Sequence, residues 1–117
     1  NETCVIVQIE TPEGIANMDA IAAVDGVDIV FAGPTDLSAS LGVIGQLQHP
    51  KVQAFLTDFP RRVNAFGKPA GIPCLGPDTA KEAYAQGYRL IAIGAIEITG
   101  TIGLTTALED VREHELT

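Results

Sequence analysis

Several features that define common functional classes are scarce or missing in this sequence of 117 residues. It has 7 Lys and Arg against 15 Asp and Glu, for a formal net charge of -8 at pH 7. It therefore lacks the basic surface that binds a phosphate backbone, and we expect no nucleic acid partner. No apolar run approaches the ~20 residues of a membrane span, and no signal-peptide pattern is present, so we expect no membrane association.

Cysteine is also scarce, with only Cys4 and Cys74. The two residues lack CxxC spacing and lie inside apolar runs, which indicates packing residues rather than a disulfide framework. A reduced, cytoplasmic protein fits this pattern better than a secreted one.

What the sequence does contain is a regular alternation of apolar runs and helical patterns. Four runs rich in Val and Ile are continuous, as in strands buried on both faces of a parallel sheet, and they span 4–9, 27–32, 69–75 and 90–93. Helical patterns follow over 11–24, 50–66, 77–86 and 105–114. Pro60 should kink or divide the second of these helices.

Four strand-helix units in a row predict an α/β fold with parallel strands and right-handed crossovers. Such an array is half of a (β/α)8 barrel, which needs ~250 residues, or an open doubly wound sheet. The repeat alone does not choose between them. Because the chain opens at Asn1 and reaches its first apolar run at once, we expect residues 1–117 to be a single segment of a longer polypeptide.

Polar residues cluster where the first two predicted strands end. Gln8 and Glu10 are two residues apart, so their side chains point to the same side of the sheet. Asp36 follows the second strand, and neighbouring strands lie only ~5 Å apart. Two carboxylates at one edge suit Mg²⁺ or Mn²⁺. The same pattern also fits a solvated strand end at Glu10 and a helix cap at Asp36.

Gly33 and Pro34 lead into Asp36. Glycine allows a tight turn and proline fixes φ, so the N–H groups of Thr35 and Asp36 could point at an anion where a helix begins. A substrate carboxylate is one candidate for that anion. An ordinary strand-to-helix turn is the alternative.

The run VQIETPEGIANMDAIAAVDGVDIVFAGPTDLSASLG, followed by QHPKVQAF and GKPAGI, resembles the HpcH/HpaI aldolase family. The resemblance is close through residue 72 and continues in the same order beyond it. It implies the carboxy-terminal half of a (β/α)8 TIM barrel, the amino-terminal half being absent from these residues.

The resemblance further implies a class II pyruvate aldolase, which cleaves a 4-hydroxy-2-oxo acid to pyruvate and an aldehyde. It assigns Glu10 and Asp36 as ligands of a divalent metal: Mg²⁺ or Mn²⁺, with Co²⁺ as a third candidate. It assigns Gln8 to pyruvate binding, and the backbone amides of Thr35 and Asp36 to the pyruvate carboxylate. The family's general-base His and substrate Arg belong to the absent half, so no catalytic residue is assigned here. We expect a homo-oligomer or a complex with the missing half-barrel.

Other residues do not replace the missing groups. His49 is expected to cap a helix or to make a surface contact. His114 lies in a charged tail, where it is expected on a solvated face or as a favourable charge at the helix end. The lysines lie at helix starts or before a strand, so no Schiff base is expected.

Two alternatives stay open. A citrate lyase β-subunit-like or malyl-CoA lyase-like protein would share the fold and the acids, but those relatives usually lack a proline at the position of Pro34. CoA also needs a basic surface. The second alternative is an inactive half-barrel or assembly module.

Overall fold

The computed structural model describes residues 3–115, except the side chains of residues 97, 98, 107, 108 and 110–115. Its strands form a single sheet in the order β1-β2-β3-β4, and every pairing is parallel. The strands are β1 Ile6–Ile9, β2 Ile29–Ala32, β3 Ala70–Cys74 and β4 Leu90–Ile93. The predicted α/β fold is confirmed. The first three strands are shorter than the apolar runs from which they were predicted.

The helices lie between and after the strands. They are α1 Pro12–Ala16, α2 Met18–Ala22, α3 Pro34–Ser40, α4 Pro50–Asn64, α5 Pro77–Gln86 and α6 Ile96–Glu115. Four of them, α1, α3, α4 and α5, begin with proline. Proline suits this position because the first N–H of a helix has no intrahelical acceptor. No helix in the described part is long and apolar enough to cross a bilayer.

Two predicted helices have different bounds. The helix expected over 11–24 is divided at Asn17, whose side-chain amide donates to the Glu13 carbonyl at 3.0 Å. Asparagine competes in this way with the helical backbone. The last helix begins at Ile96 rather than at 105. The expectation of two packed cysteines holds for buried Cys74 and is wrong for Cys4, which is exposed.

The prediction that Pro60 kinks or divides its helix is wrong as to division, because α4 runs through Pro60 to Asn64. Proline has no N–H, so the carbonyl of Leu56 loses its intrahelical donor. The hydroxyl of Tyr88 donates to that carbonyl at 2.7 Å, and Tyr88 is fully buried. A side chain from just before β4 thus replaces the missing donor.

The two faces of the sheet differ in what covers them. Ile9, Val30 and Ala70 are at most 1% exposed and belong to the hydrophobic core with α2, α4 and α5. Side chains alternate along a strand, so Gln8 points to the opposite face, and it is exposed. The described helices therefore leave the Gln8 face accessible.

Candidate functional site

The predicted polar residues lie at the same edge of the sheet. Gln8 lies in β1, and Glu10 is the first residue after the end of that strand. Asp36 lies in the first turn of α3, the helix that follows β2. β1 and β2 are hydrogen-bonded neighbours. Both acids therefore lie at the carboxyl edge of adjacent parallel strands, where ligands bind in α/β folds.

Gln8 and Glu10 are in direct contact. The side-chain amide of Gln8 donates to Oε2 of Glu10 at 2.5 Å. Strand periodicity predicted that the two side chains share a face, but it gave no indication of this hydrogen bond. The contact fixes the Glu10 carboxylate and leaves the oxygen of the Gln8 amide as an acceptor.

Gly33 is required here by space rather than by its backbone conformation. Its φ of -105° is open to any residue. A Cβ atom at Gly33 would lie 2.6 Å from Nε2 of Gln8 and 2.9 Å from Cβ of Glu10. The backbone after β2 thus packs directly against Gln8 in β1 and Glu10 directly after it.

Helix α3 carries Asp36 and also contacts the backbone of Glu10. Ser40, in its last turn, donates from Oγ to the backbone carbonyl of Glu10 at 3.2 Å. Asp36 lies four residues before Ser40, on the same side of the helix. The side of α3 that carries Asp36 is therefore the side that contacts the end of β1.

The alternative of a capping role for Asp36 is not what the structure shows. Gly33 occupies the N-cap position and has no side chain that could cap α3. Thr35 and Asp36 are the second and third residues of the helix, and the first backbone bond of the helix is from Leu37 N–H to the Gly33 carbonyl, at 2.9 Å. Amide groups of a first helical turn have no acceptor within the helix, so those of Thr35 and Asp36 can bind another group.

The remaining candidates lie away from this edge. His49 is the N-cap of α4 and accepts from the amide of Lys51 at 3.3 Å, which confirms its predicted capping role. The ammonium of Lys68 donates to the Val24 carbonyl. The side chain of His114 lies outside the described residues. Within the described part, no group of three or more His, Cys, Asp or Glu residues could hold a metal.

A cavity of about 220 Å³ lies near Pro34, between α4, α5 and the end of β3. Its wall includes the thiol of Cys74. Burial raises the pKa of Cys74, and a hydrogen bond with the Thr79 side chain partly opposes that rise. This environment favours the neutral thiol over the thiolate, which is the opposite of what activates a cysteine nucleophile.

Known proteins are similar to this chain in sequence and fold. Residues 1–99 match the family described as HpcH/HpaI aldolase/citrate lyase. The sequence is 46% identical over 92 residues to a hydroxypyruvate/pyruvate aldolase of Roseobacter denitrificans, covering 79% of this chain and 36% of the relative. It is 43% identical over 94 residues to a 2-keto-3-deoxy-L-rhamnonate aldolase of Klebsiella pneumoniae, covering 80% and 35%. This chain thus spans about a third of these relatives.

The fold has a counterpart in a crystal structure. A HpcH/HpaI aldolase/citrate lyase family protein from Burkholderia cenocepacia superposes with a TM-score of 0.90 at 35% sequence identity. The match covers 95% of this chain and 43% of the other. The likeness confirms that the four βα units are part of a (β/α)8-barrel aldolase fold.

Proposed function

The chain belongs to the HpcH/HpaI aldolase/citrate lyase family, and we propose that the protein containing it is a divalent-metal-dependent aldolase. The proposed reaction cleaves a 4-hydroxy-2-oxo acid to pyruvate and an aldehyde. The observation that carries the proposal is the placement of Glu10 and Asp36 at the carboxyl edge of neighbouring parallel strands, with Gln8 bonded to Glu10. The names of the two curated relatives support the reaction class.

We also propose that residues 1–117 form the carboxy-terminal half of the barrel. Four βα units are half of eight, and the chain corresponds to 43% of the similar crystal-structure chain. The uncovered face that carries Gln8 would then be the barrel interior. The general base and the Arg that binds substrate would come from the other half, consistent with the capping role of His49.

The donor set at the edge fits a hard divalent cation. Glu10 and Asp36 supply two carboxylates, and Mg²⁺ or Mn²⁺ is commonly held by one or two carboxylates with water and substrate completing the octahedron. Co²⁺ is compatible with the same ligands. When bound, the cation would supply positive charge for the oxygen on which the pyruvate enolate develops.

The chain's own groups would bind and orient pyruvate. The amides of Thr35 and Asp36 are placed to receive the pyruvate carboxylate, because a first helical turn favours an anion. One N–H of the Gln8 amide holds Glu10 in one orientation, and the second N–H would be available to an oxygen of pyruvate. Together these groups would fix the bond to be cleaved relative to the metal.

The positions of the lysines favour a metal over a Schiff base. Lys51 is the second residue of α4, Lys68 precedes β3 at the opposite edge, and Lys81 pairs with Asp78 at 3.1 Å. A Schiff-base aldolase needs a lysine that reaches the reacting carbonyl. None of the three lies at the carboxyl edge between β1 and β2.

The test uses the whole protein that contains these residues. Pyruvate release from a 4-hydroxy-2-oxo acid should stop with EDTA and return with Mn²⁺. Borohydride with pyruvate should leave no adduct. Glu10→Gln should abolish release, whereas Glu13→Gln, at an exposed acid three residues away, should leave it intact. A pyruvyl-lysine adduct, or EDTA-resistant turnover, would contradict the proposal. A fully inactive wild-type protein would favour the alternative of an assembly module.

A further inference from the structure

Ser38 is placed unusually for a serine. It is 0% exposed, although serine is mostly found at protein surfaces. It lies two residues after Asp36, in the middle of α3. A buried hydroxyl needs hydrogen-bond partners, so its contacts indicate what it holds in place.

The Ser38 hydroxyl connects two segments of the chain. It donates to the backbone carbonyl of Thr35 at 2.6 Å and accepts from the amide of Gly45 at 3.0 Å. A bond from a helical serine to the carbonyl three residues earlier is common. The second bond is different, because it reaches the loop that follows the helix. That loop also returns to Ser38 through its backbone, since the amide of Val43 donates to the Ser38 carbonyl at 2.8 Å.

The first bond acts on Asp36 through the peptide plane. The Thr35 carbonyl and the Asp36 N–H belong to one planar peptide group. A hydrogen bond to the carbonyl oxygen therefore fixes the direction of the Asp36 N–H and polarises it. The same plane contains the N–Cα bond of Asp36, so it restricts where the Asp36 side chain begins.

We propose that Ser38 is a positioning residue. Its buried hydroxyl holds the Thr35–Asp36 peptide against the loop after α3 that contains Gly45, and in this way it orients Asp36 relative to Glu10. The proposal rests on the proposed function, because it names the residue that prearranges a metal ligand. Ser38 touches neither metal nor substrate. Its effect would reach the reaction through Asp36.

The experiment compares three variants of the whole protein. Ser38→Ala removes the hydroxyl, and Ser38→Cys fills the same space with a much weaker hydrogen-bonding group. Val63→Ala is the control for lost stability, because Val63 is fully buried in α4. All are measured well below their unfolding temperatures. The readouts are hydrogen exchange of the Gly45 amide, the Kd for Mn²⁺, and the KM for substrate against kcat.

Both Ser38 variants should lose protection at the Gly45 amide and weaken Mn²⁺ binding about tenfold, as expected when one buried hydrogen-bond partner is removed. Val63→Ala should change neither. Unchanged Gly45 protection, or lost protection with wild-type Mn²⁺ affinity, would overturn the positioning role. A wild-type protein that binds no Mn²⁺ would instead overturn the proposed function, and the role of Ser38 with it.

Discussion

Two Gly-Pro turns lie at the same edge of the sheet, one after β2 and one after β3. The first reads Gly-Pro-Thr-Asp over residues 33–36, and the second reads Gly-Pro-Asp-Thr over residues 76–79. In each, glycine is the N-cap and proline is the first helical residue. As local sequences they are equally suited to begin a helix and to place an acid in its first turn.

Their surroundings differ. A Cβ atom at Gly33 would collide with Gln8 and Glu10, whereas a Cβ atom at Gly76 would have no neighbour within 4 Å. Asp78 pairs with Lys81 at 3.1 Å, and the two side chains are 89% and 77% exposed. The local sequence of such a turn therefore does not make it a candidate site. What distinguishes the first turn is its contact with residues at the end of the adjacent strand.

The largest expected effect comes from removing the acid of each turn. Asp36→Asn should weaken Mn²⁺ binding by at least about 100-fold, because changes even to groups behind metal ligands cost 10- to 100-fold. Asp78→Asn should leave Mn²⁺ binding unchanged. Calorimetric titration of both variants of the whole protein measures the difference. Equal losses in the two variants would break the comparison.

Substitution of the two glycines should also affect Mn²⁺ binding unequally, with a smaller difference than substitution of the two acids. Gly33→Ala should displace Gln8 and Glu10 and weaken Mn²⁺ binding by about tenfold or more. Gly76→Ala should have little effect, because there is room for the methyl group and a φ of -162° is open to any residue. Mn²⁺ titration and thermal unfolding of both variants provide the check. Normal Mn²⁺ affinity in Gly33→Ala would show that the crowding is irrelevant to the site.

Much of the fold was predictable because buried parallel strands and proline-initiated helices have local signatures. The α5 bounds followed directly from Pro77 at its start and Gly87 after its end. The continuity of α4 was not predictable, since it depends on the donor that Tyr88 supplies from a distant part of the chain. Local rules fail where a tertiary contact compensates for them.

The candidate site, like the fold, was predictable from local sequence only in part. The shared face of Gln8 and Glu10 follows from strand periodicity, and their placement at the same edge of the sheet as Asp36 follows from strand order. The metal and pyruvate roles came from the family resemblance, and they stay predictions. The crowding at Gly33 and the burial of Ser38 have no signal in the sequence, because each arises where a second element packs against the first.

A change in the β3–β4 half should affect stability and leave the site alone. Tyr88→Phe removes the donor to Leu56 and should lower the free energy of unfolding by about 1–3 kcal/mol, the cost of an unpaired buried acceptor. Burial, and secondarily the charge of Cys74, raises the pKa of Tyr88. The folded state thus favours neutral tyrosine, so stability should decline as pH rises above about 10, the ordinary tyrosine pKa. Denaturant unfolding across that range should show a weaker decline in Tyr88→Phe, with Mn²⁺ affinity unchanged.

The smallest expected effect concerns the hydroxyl that holds the second turn. Thr79 donates from Oγ1 to the Gly76 carbonyl at 2.9 Å and accepts from the Gly76 amide at 3.3 Å. Like the Ser38 hydroxyl, it bonds to the backbone of its own turn, but Thr79 is exposed, and its side chain also has a hydrogen bond with that of Cys74. Water can replace its bonds, so Thr79→Ala should lower the free energy of unfolding by less than about 1 kcal/mol, near the low end for lost helix caps. Mn²⁺ affinity should not change. If Thr79→Ala weakened Mn²⁺ binding as much as Ser38→Ala does, both turns would contribute to one site, and the contrast between them would be wrong.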